Sequence, residues 1–171
     1  MQYSLEIVND DDPISPREWD NLGAILYSSS RYVLGDKQVS LQEMREIEKD
    51  KNNIVLPVYA YIHSGIALNT TGFSCPWDSG QSGIIYVSKE KIRNEFKVNR
   101  ISPALKEKVI NILRNEVDIY SQYASGEVYG YRILDENKDV VDSCYGFFSY
   151  KEAEEQGNES IKYLLTKEVA C

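Results

Sequence analysis

Residues 56–87 read LPVYAYIHSGIALNTTGFSCPWDSGQSGIIYV, and the fold class turns on how this stretch is parsed. Residues 55–62 and 83–87 are apolar runs rich in β-branched and aromatic side chains, bounded by Gly, Ser, Asn and Asp. Runs of that composition and length form strands, because branched and aromatic side chains pack well on a pleated surface. The connection between them is too long for a two-residue turn, so it is expected to be an ordered loop. The whole stretch holds the only histidine, one of two tryptophans, one of three cysteines and four of ten glycines. Loops with that density of chemically distinctive residues carry function more often than cores do.

Upstream, the alternation of Tyr3, Leu5 and Ile7 predicts a half-buried strand over residues 3–8. Ser15-Pro16-Arg17-Glu18 has the makings of a helix start, with a capping serine, proline at the first position and Glu18 closing a capping box. Trp19 and Leu22 are then expected to face inward, with Gly23 ending the turn. Residues 24–27 are too few for periodicity to separate strand from helix. Ser40 and Glu43 form a second capping box and open a helix over residues 41–50, with Leu41, Met44 and Ile47 on one face.

Downstream, Ser88 caps a short basic helix over residues 89–96. Ser102-Pro103 opens the longest helix, to about residue 123, in which Leu105, Val109, Ile112 or Leu113, Val117 and Tyr120 recur at three- and four-residue steps. Residues 127–134 and 140–148 read as the two arms of a hairpin about an Asp135-Glu136-Asn137-Lys138-Asp139 turn. Ser149 caps a last helix, from residue 150 to about 165, with a break expected at Gly157. Paired strands with helices before, between and after them predict an α+β fold, mostly antiparallel. At 171 residues the expectation is a single domain spanning 1–171.

The net charge of −8 is unevenly spread. Residues 1–50 carry eleven Asp/Glu and five Lys/Arg, residues 51–114 four and nine, and residues 115–171 twelve and five. The overall sign argues against direct binding to a nucleic acid, DNA included, whose phosphates attract cations. Solubility accounts for much of the charge, while the sharper reading is an acidic surface aimed at a basic partner. Three dispersed cysteines without a C-x-x-C pair, no leader-like N-terminus and no apolar run near 18 residues lead to the expectation of a soluble cytoplasmic chain with reduced thiols, without cofactor or metal.

Three chemical readings of the central loop compete. His63, Cys75 and Asp78 supply the residue types of a thiol nucleophile, its base and an orienting carboxylate, but their spacing matches no hydrolase signature. Ser79-Gly80-Gln81-Ser82-Gly83 has the glycines of a phosphate loop without its lysine. The third reading makes Trp19, His63, Cys75, Trp77 and Asp78 structural, fixing the loop as a folded unit.

Ser15-Pro16-Arg17-Glu18-Trp19-Asp20-Asn21-Leu22-Gly23 and Arg31-Tyr32-Val33-Leu34-Gly35-Asp36, together with His63-Ser64-Gly65 and the run from Phe73 to Gly83, FSCPWDSGQSG, carry a resemblance. Over about residues 3–148 the chain is similar to small proteins of phages, prophages and plasmids of Gram-positive hosts, a family that includes a type II-A anti-CRISPR protein. Ser29 and Ser30 depart from the aromatic or basic residue expected before Arg31. The resemblance implies a non-enzymatic inhibitor that binds a type II CRISPR nuclease, alone or as its guide-RNA complex, and blocks DNA recognition or cleavage. It brings no catalytic residues with it. Carboxylates suited to a basic nuclease channel are Asp10, Asp11, Asp12, Glu46, Glu48, Asp50, Asp135, Glu136 and Asp139. The basic residues 89–108 are an alternative contact, toward the guide RNA. The competing functions are a small anti-defence hydrolase or nucleotide-binding protein using residues 63–83, and a phage regulatory interaction protein.

Overall fold

The computed structural model describes residues 2–74 and 79–169, so Cys75, Trp77 and Asp78 lie outside the described residues. It has the α+β class expected, with mostly antiparallel strand pairing and one long helix, and it divides into two compact units. One unit joins the N-terminal segment through Ile14 to everything from Gly126 onward; the other is Ser15–Ser125.

In the central unit the decisive stretch forms β4 (Asn53–Ile62), β5 (Ile66–Asn69) and β6 (Ser79–Ser88) of a five-stranded sheet. Its order is β3-β2-β6-β4-β5, where β2 is Ala24–Tyr27 and β3 is Lys37–Gln38. Only β2 and β3 run parallel. The sheet is covered on both faces, which explains why its strands read as continuous apolar runs rather than alternating ones. Ile25, Ile54, Val58, Ile85 and Val87 pack with the apolar stripe of α3 (Pro103–Ser125), while their neighbours Leu26 and Ile84 pack with Met44 of α1 (Leu41–Lys49). Consecutive residues therefore serve opposite cores, as a side-chain period of two requires.

The connection between β4 and β6 departs from the expected loop. It turns tightly at 63–65, where His63 N–H donates to the Gly65 carbonyl at 3.2 Å, and returns as β5. Leu68, 3 % exposed, packs into the core, and its N–H donates to Ser121 Oγ of α3 at 2.8 Å. A four-residue strand of this kind is invisible to periodicity because its burial and one hydrogen bond come from a helix 53 residues away.

Serine hydroxyls cap the helices as the sequence predicts. Ser40 accepts from the N–H of Glu43, Ser88 from that of Lys91 and Ser102 from that of Leu105, each at 3.1 Å. The Ser88-capped helix, α2 (Lys89–Phe96), has the bounds expected of it. Ser15 is the exception. It accepts from the N–H of Arg17 at 3.2 Å, yet the segment makes a single 3₁₀ turn, Pro16–Glu18, and Trp19 is already extended. The expected inward-facing Trp19 is instead 49 % exposed, because the helix that would have turned it inward does not continue; Leu22 does pack against the core.

In the other unit β1 (Ser4–Asn9), β7 (Tyr129–Leu134) and β8 (Val140–Phe147) form an antiparallel sheet in the order β1-β7-β8. The expected hairpin is β7–β8, with α4 (Tyr150–Val169) packed on the sheet face that carries Leu5, Tyr131 and Ile133. No break occurs at Gly157. A side chain there would place its Cβ 2.4 Å from Leu5 Cδ1, so this glycine lets the helix approach the sheet instead of ending it. On the opposite face Arg132 stands opposite Glu6, and its Nε donates to Tyr145 Oη at 2.8 Å.

Candidate functional site

The two units differ in net charge. The unit built from residues 1–14 and 126–171 carries fourteen Asp/Glu and five Lys/Arg, for −9; Ser15–Ser125 carries thirteen and fourteen, for +1. All of the chain's net negative charge therefore resides in 60 residues.

Six of the nine carboxylates expected to meet a partner belong to this acidic unit, at opposite ends of its sheet. Asp10, Asp11 and Asp12 follow β1, beside the start of β7, since Asn9 pairs with Tyr129. Asp135, Glu136 and Asp139 sit at the β7–β8 turn, beside the start of β1, since Ser4 pairs with Leu134. A six-residue strand separates the groups by roughly 17–20 Å. Glu46, Glu48 and Asp50 lie on and just after α1, in the other unit. The nine thus form three groups.

Several of these carboxylates also have local work. Asp10 Oδ1 accepts from the Asp12 N–H at 3.2 Å, and Asp135 Oδ1 accepts from the N–H groups of Asn137 and Asp139 at 2.8 and 2.9 Å, shaping the two turns. Glu136 Oε1 accepts from the Gln2 N–H at 2.9 Å, and Glu48 Oε1 from Gln81 Nε2 at 2.8 Å. None of the nine is buried, so each keeps acceptor capacity toward solvent or a partner. The sequence reading passed over Glu152, Glu154, Glu155 and Glu159 on α4, all exposed, which belong to the same acidic unit. The signal was available in the charge count for residues 115–171, but only the fold joins that segment to Asp10–Asp12.

The motif residues are placed differently. His63 is exposed at the β4–β5 turn, its ring parallel to that of Tyr61 at 6.3 Å, and Tyr61 also meets Phe73 at 5.7 Å. Among the described residues no group of three or more His, Cys, Asp or Glu side chains is arranged to hold a metal ion.

A half-buried polar cluster of the central unit lies on residues quoted for their pattern and not for their chemistry. Arg17 donates from Nε and Nη2 to both oxygens of Asp36, at 2.8 and 2.7 Å, from Nη2 to the Gly23 carbonyl at 2.7 Å, and from Nη1 to Glu116 at 3.3 Å. Glu116 accepts in turn from the N–H groups of Leu22 and Gly23, and Asp36 from that of Ile25 at 2.7 Å. The Arg17 and Glu116 side chains are 8 % and 10 % exposed. Burial by itself would lower the Arg17 pKa, but the hydrogen bonds and charge of Asp36, with Glu116 behind them, raise it. The Arg17 and Asp36 motifs and one acidic position of α3 are thus a clamp that ties the segment before β2 to the helix layer. It replaces the helix expected after Ser15, because Glu116 satisfies the backbone N–H groups that another helical turn would have used.

The arrangement as a whole offers exposed carboxylate acceptors on one unit and nearly balanced charge on the other, which suits electrostatic recognition of a basic surface. No described helix is long and apolar enough to cross a membrane. Comparisons of this chain with protein-family models, with curated proteins and with solved structures returned no match.

Proposed function

We propose that this protein is a non-catalytic inhibitor of a type II RNA-guided DNA nuclease and acts by occupying a basic, nucleic-acid-binding surface of that enzyme. The observation that carries the mechanism is the concentration of −9 in one 60-residue unit, on carboxylates that are mostly exposed. A channel built to hold a heteroduplex through its backbone presents Lys and Arg in register with phosphates, and carboxylates can satisfy the same donors. Asp10, Asp11, Asp12, Asp135, Glu136 and Asp139 are the principal contacts in this reading, with Glu46, Glu48 and Asp50 a separate set. The choice of nuclease rests on the resemblance of the Arg17-, Asp36- and Trp77-bearing motifs to the phage and plasmid family.

The test is a DNA-cleavage assay with a purified type II nuclease and its guide RNA, the protein being added before or after target DNA. Occupancy predicts inhibition that is stoichiometric and strongest when the protein is added first. Undiminished cleavage at a large molar excess over a panel of such nucleases would refute the reading.

A further inference from the structure

We infer that the groove framed by Lys51, Lys89 and Lys106, with the α2 face running from it, binds single-stranded nucleic acid through its phosphates. The groove encloses about 670 Å³. Three sequence-distant ammonium groups line it: Lys51 from the α1–β4 turn, Lys89 from the first position of α2 and Lys106 from the first turn of α3. Ile54, Ile101 and Ile110 give it an apolar floor, and Glu48, already engaged by Gln81, is its one carboxylate.

The cations continue beyond the groove. Residues 89–108 hold seven Lys/Arg and three Glu, and among the described residues none of the seven is in an ion pair. Lys89 and Lys91 donate to the carbonyls of Lys51 and Asn21 at 2.6 and 2.8 Å, and Lys108 stands 5.3 Å over the Phe96 ring. Arg93, Lys97, Arg100 and Lys106 are exposed. Lys89 and Arg93 lie four residues, about 6 Å of rise, apart along α2, and Lys97 follows as its left-handed C-cap. Arg93 and Lys97 also line a second cavity, of about 470 Å³.

A row of cations longer than one phosphate calls for a polyanion. The half-buried Ile101 and Ile110 select among polyanions, since an unstacked base can bury apolar surface against them whereas a duplex keeps its base faces hidden. The net charge of −8 argued against nucleic acid for the chain as a whole, but with −9 confined to the other unit that argument does not reach this surface. The inference is independent of the nuclease reading.

Fluorescence anisotropy of the full chain with labelled single strands of about 12 nucleotides, RNA and DNA of one sequence, at roughly 50 mM salt tests it. Both strands should bind within a few-fold of each other and the corresponding duplex at least about ten-fold more weakly. Log affinity should fall against log salt with a slope near −3, as about four phosphate contacts on a single strand would give. Arg93→Glu with Arg100→Glu should weaken binding by about ten-fold or more at low salt, and Lys106→Ala by a few-fold with a shallower slope, both variants melting as wild type does. Absence of strand binding at low salt, equal or tighter binding of duplex, tighter binding of an acidic peptide, or unchanged affinity in either folded variant would overturn the inference.

Discussion

Arg17 is the residue on which the central unit's unusual start depends. Removing one partner of a half-buried, hydrogen-bonded ion cluster leaves the largely desolvated Glu116 without its cation while Asp36 stays open to solvent, which costs about 1–3 kcal/mol. Arg17→Ala should therefore lower the unfolding free energy in urea by that amount, and Arg17→Lys should recover only part of it, because an ammonium cannot span both Asp36 oxygens and reach Glu116. A loss below about 1 kcal/mol, as for exposed pairs, would mean that the cluster is solvent-screened. Gly157 gives a test of opposite sign to helix propensity. Alanine in mid-helix is favoured over glycine by about 1 kcal/mol, but a Cβ at 2.4 Å from Leu5 overpacks the sheet–helix contact. An overpacking cost of about 1–3 kcal/mol set against that gain should leave Gly157→Ala destabilised by up to about 2 kcal/mol in thermal or chemical unfolding; a stabilised variant would show that α4 stands off the sheet.

Tyr120 adds a pH dependence. Burial, aided by the charge of Asp36, pushes its phenol above the usual 10.0. A group whose folded value is raised contributes stability that is intact below the unfolded value and lost as pH climbs through the folded one. Stability should accordingly decline above about pH 10, and Tyr120→Phe should flatten that decline. An equal alkaline slope in the variant would assign it to other groups.

Among the elements, the serine caps make the most direct prediction. Ser102→Ala removes the acceptor for the Leu105 N–H at the head of α3 and should cost about 1 kcal/mol, seen as a lower urea midpoint at unchanged slope. These caps, the α3 stripe and the β7–β8 hairpin were legible in the sequence because each is set by residues within a turn or two of one another. Three features were not. β5 is a strand by virtue of Leu68 meeting a core supplied by α3, and the Ser15 helix is cut short by a carboxylate about a hundred residues downstream. Gly157 reads as a helix breaker until Leu5 is known to lie beneath it. In each case a long-range partner overrides a correct local preference. The acidic positions were legible as residues, but their division into three groups follows from strand pairing and from β1 joining the C-terminal unit.

For the whole molecule the central claim is that carboxylates of the acidic unit steer the protein to a basic partner. Long-range steering raises association rates well above those of neutral docking and fades as the screening length shortens through about 8 Å at physiological ionic strength. The most direct measurement is the association rate with the nuclease–guide RNA complex from about 50 to about 500 mM salt, for wild type and for Asp10→Lys/Asp11→Lys/Asp12→Lys. These turn positions are not buried, and the variant should stay folded. The account predicts a wild-type rate that falls at least about ten-fold over this range and a variant that starts slower and varies less. A wild-type rate independent of salt, with the variant associating and inhibiting as well as wild type, would contradict it.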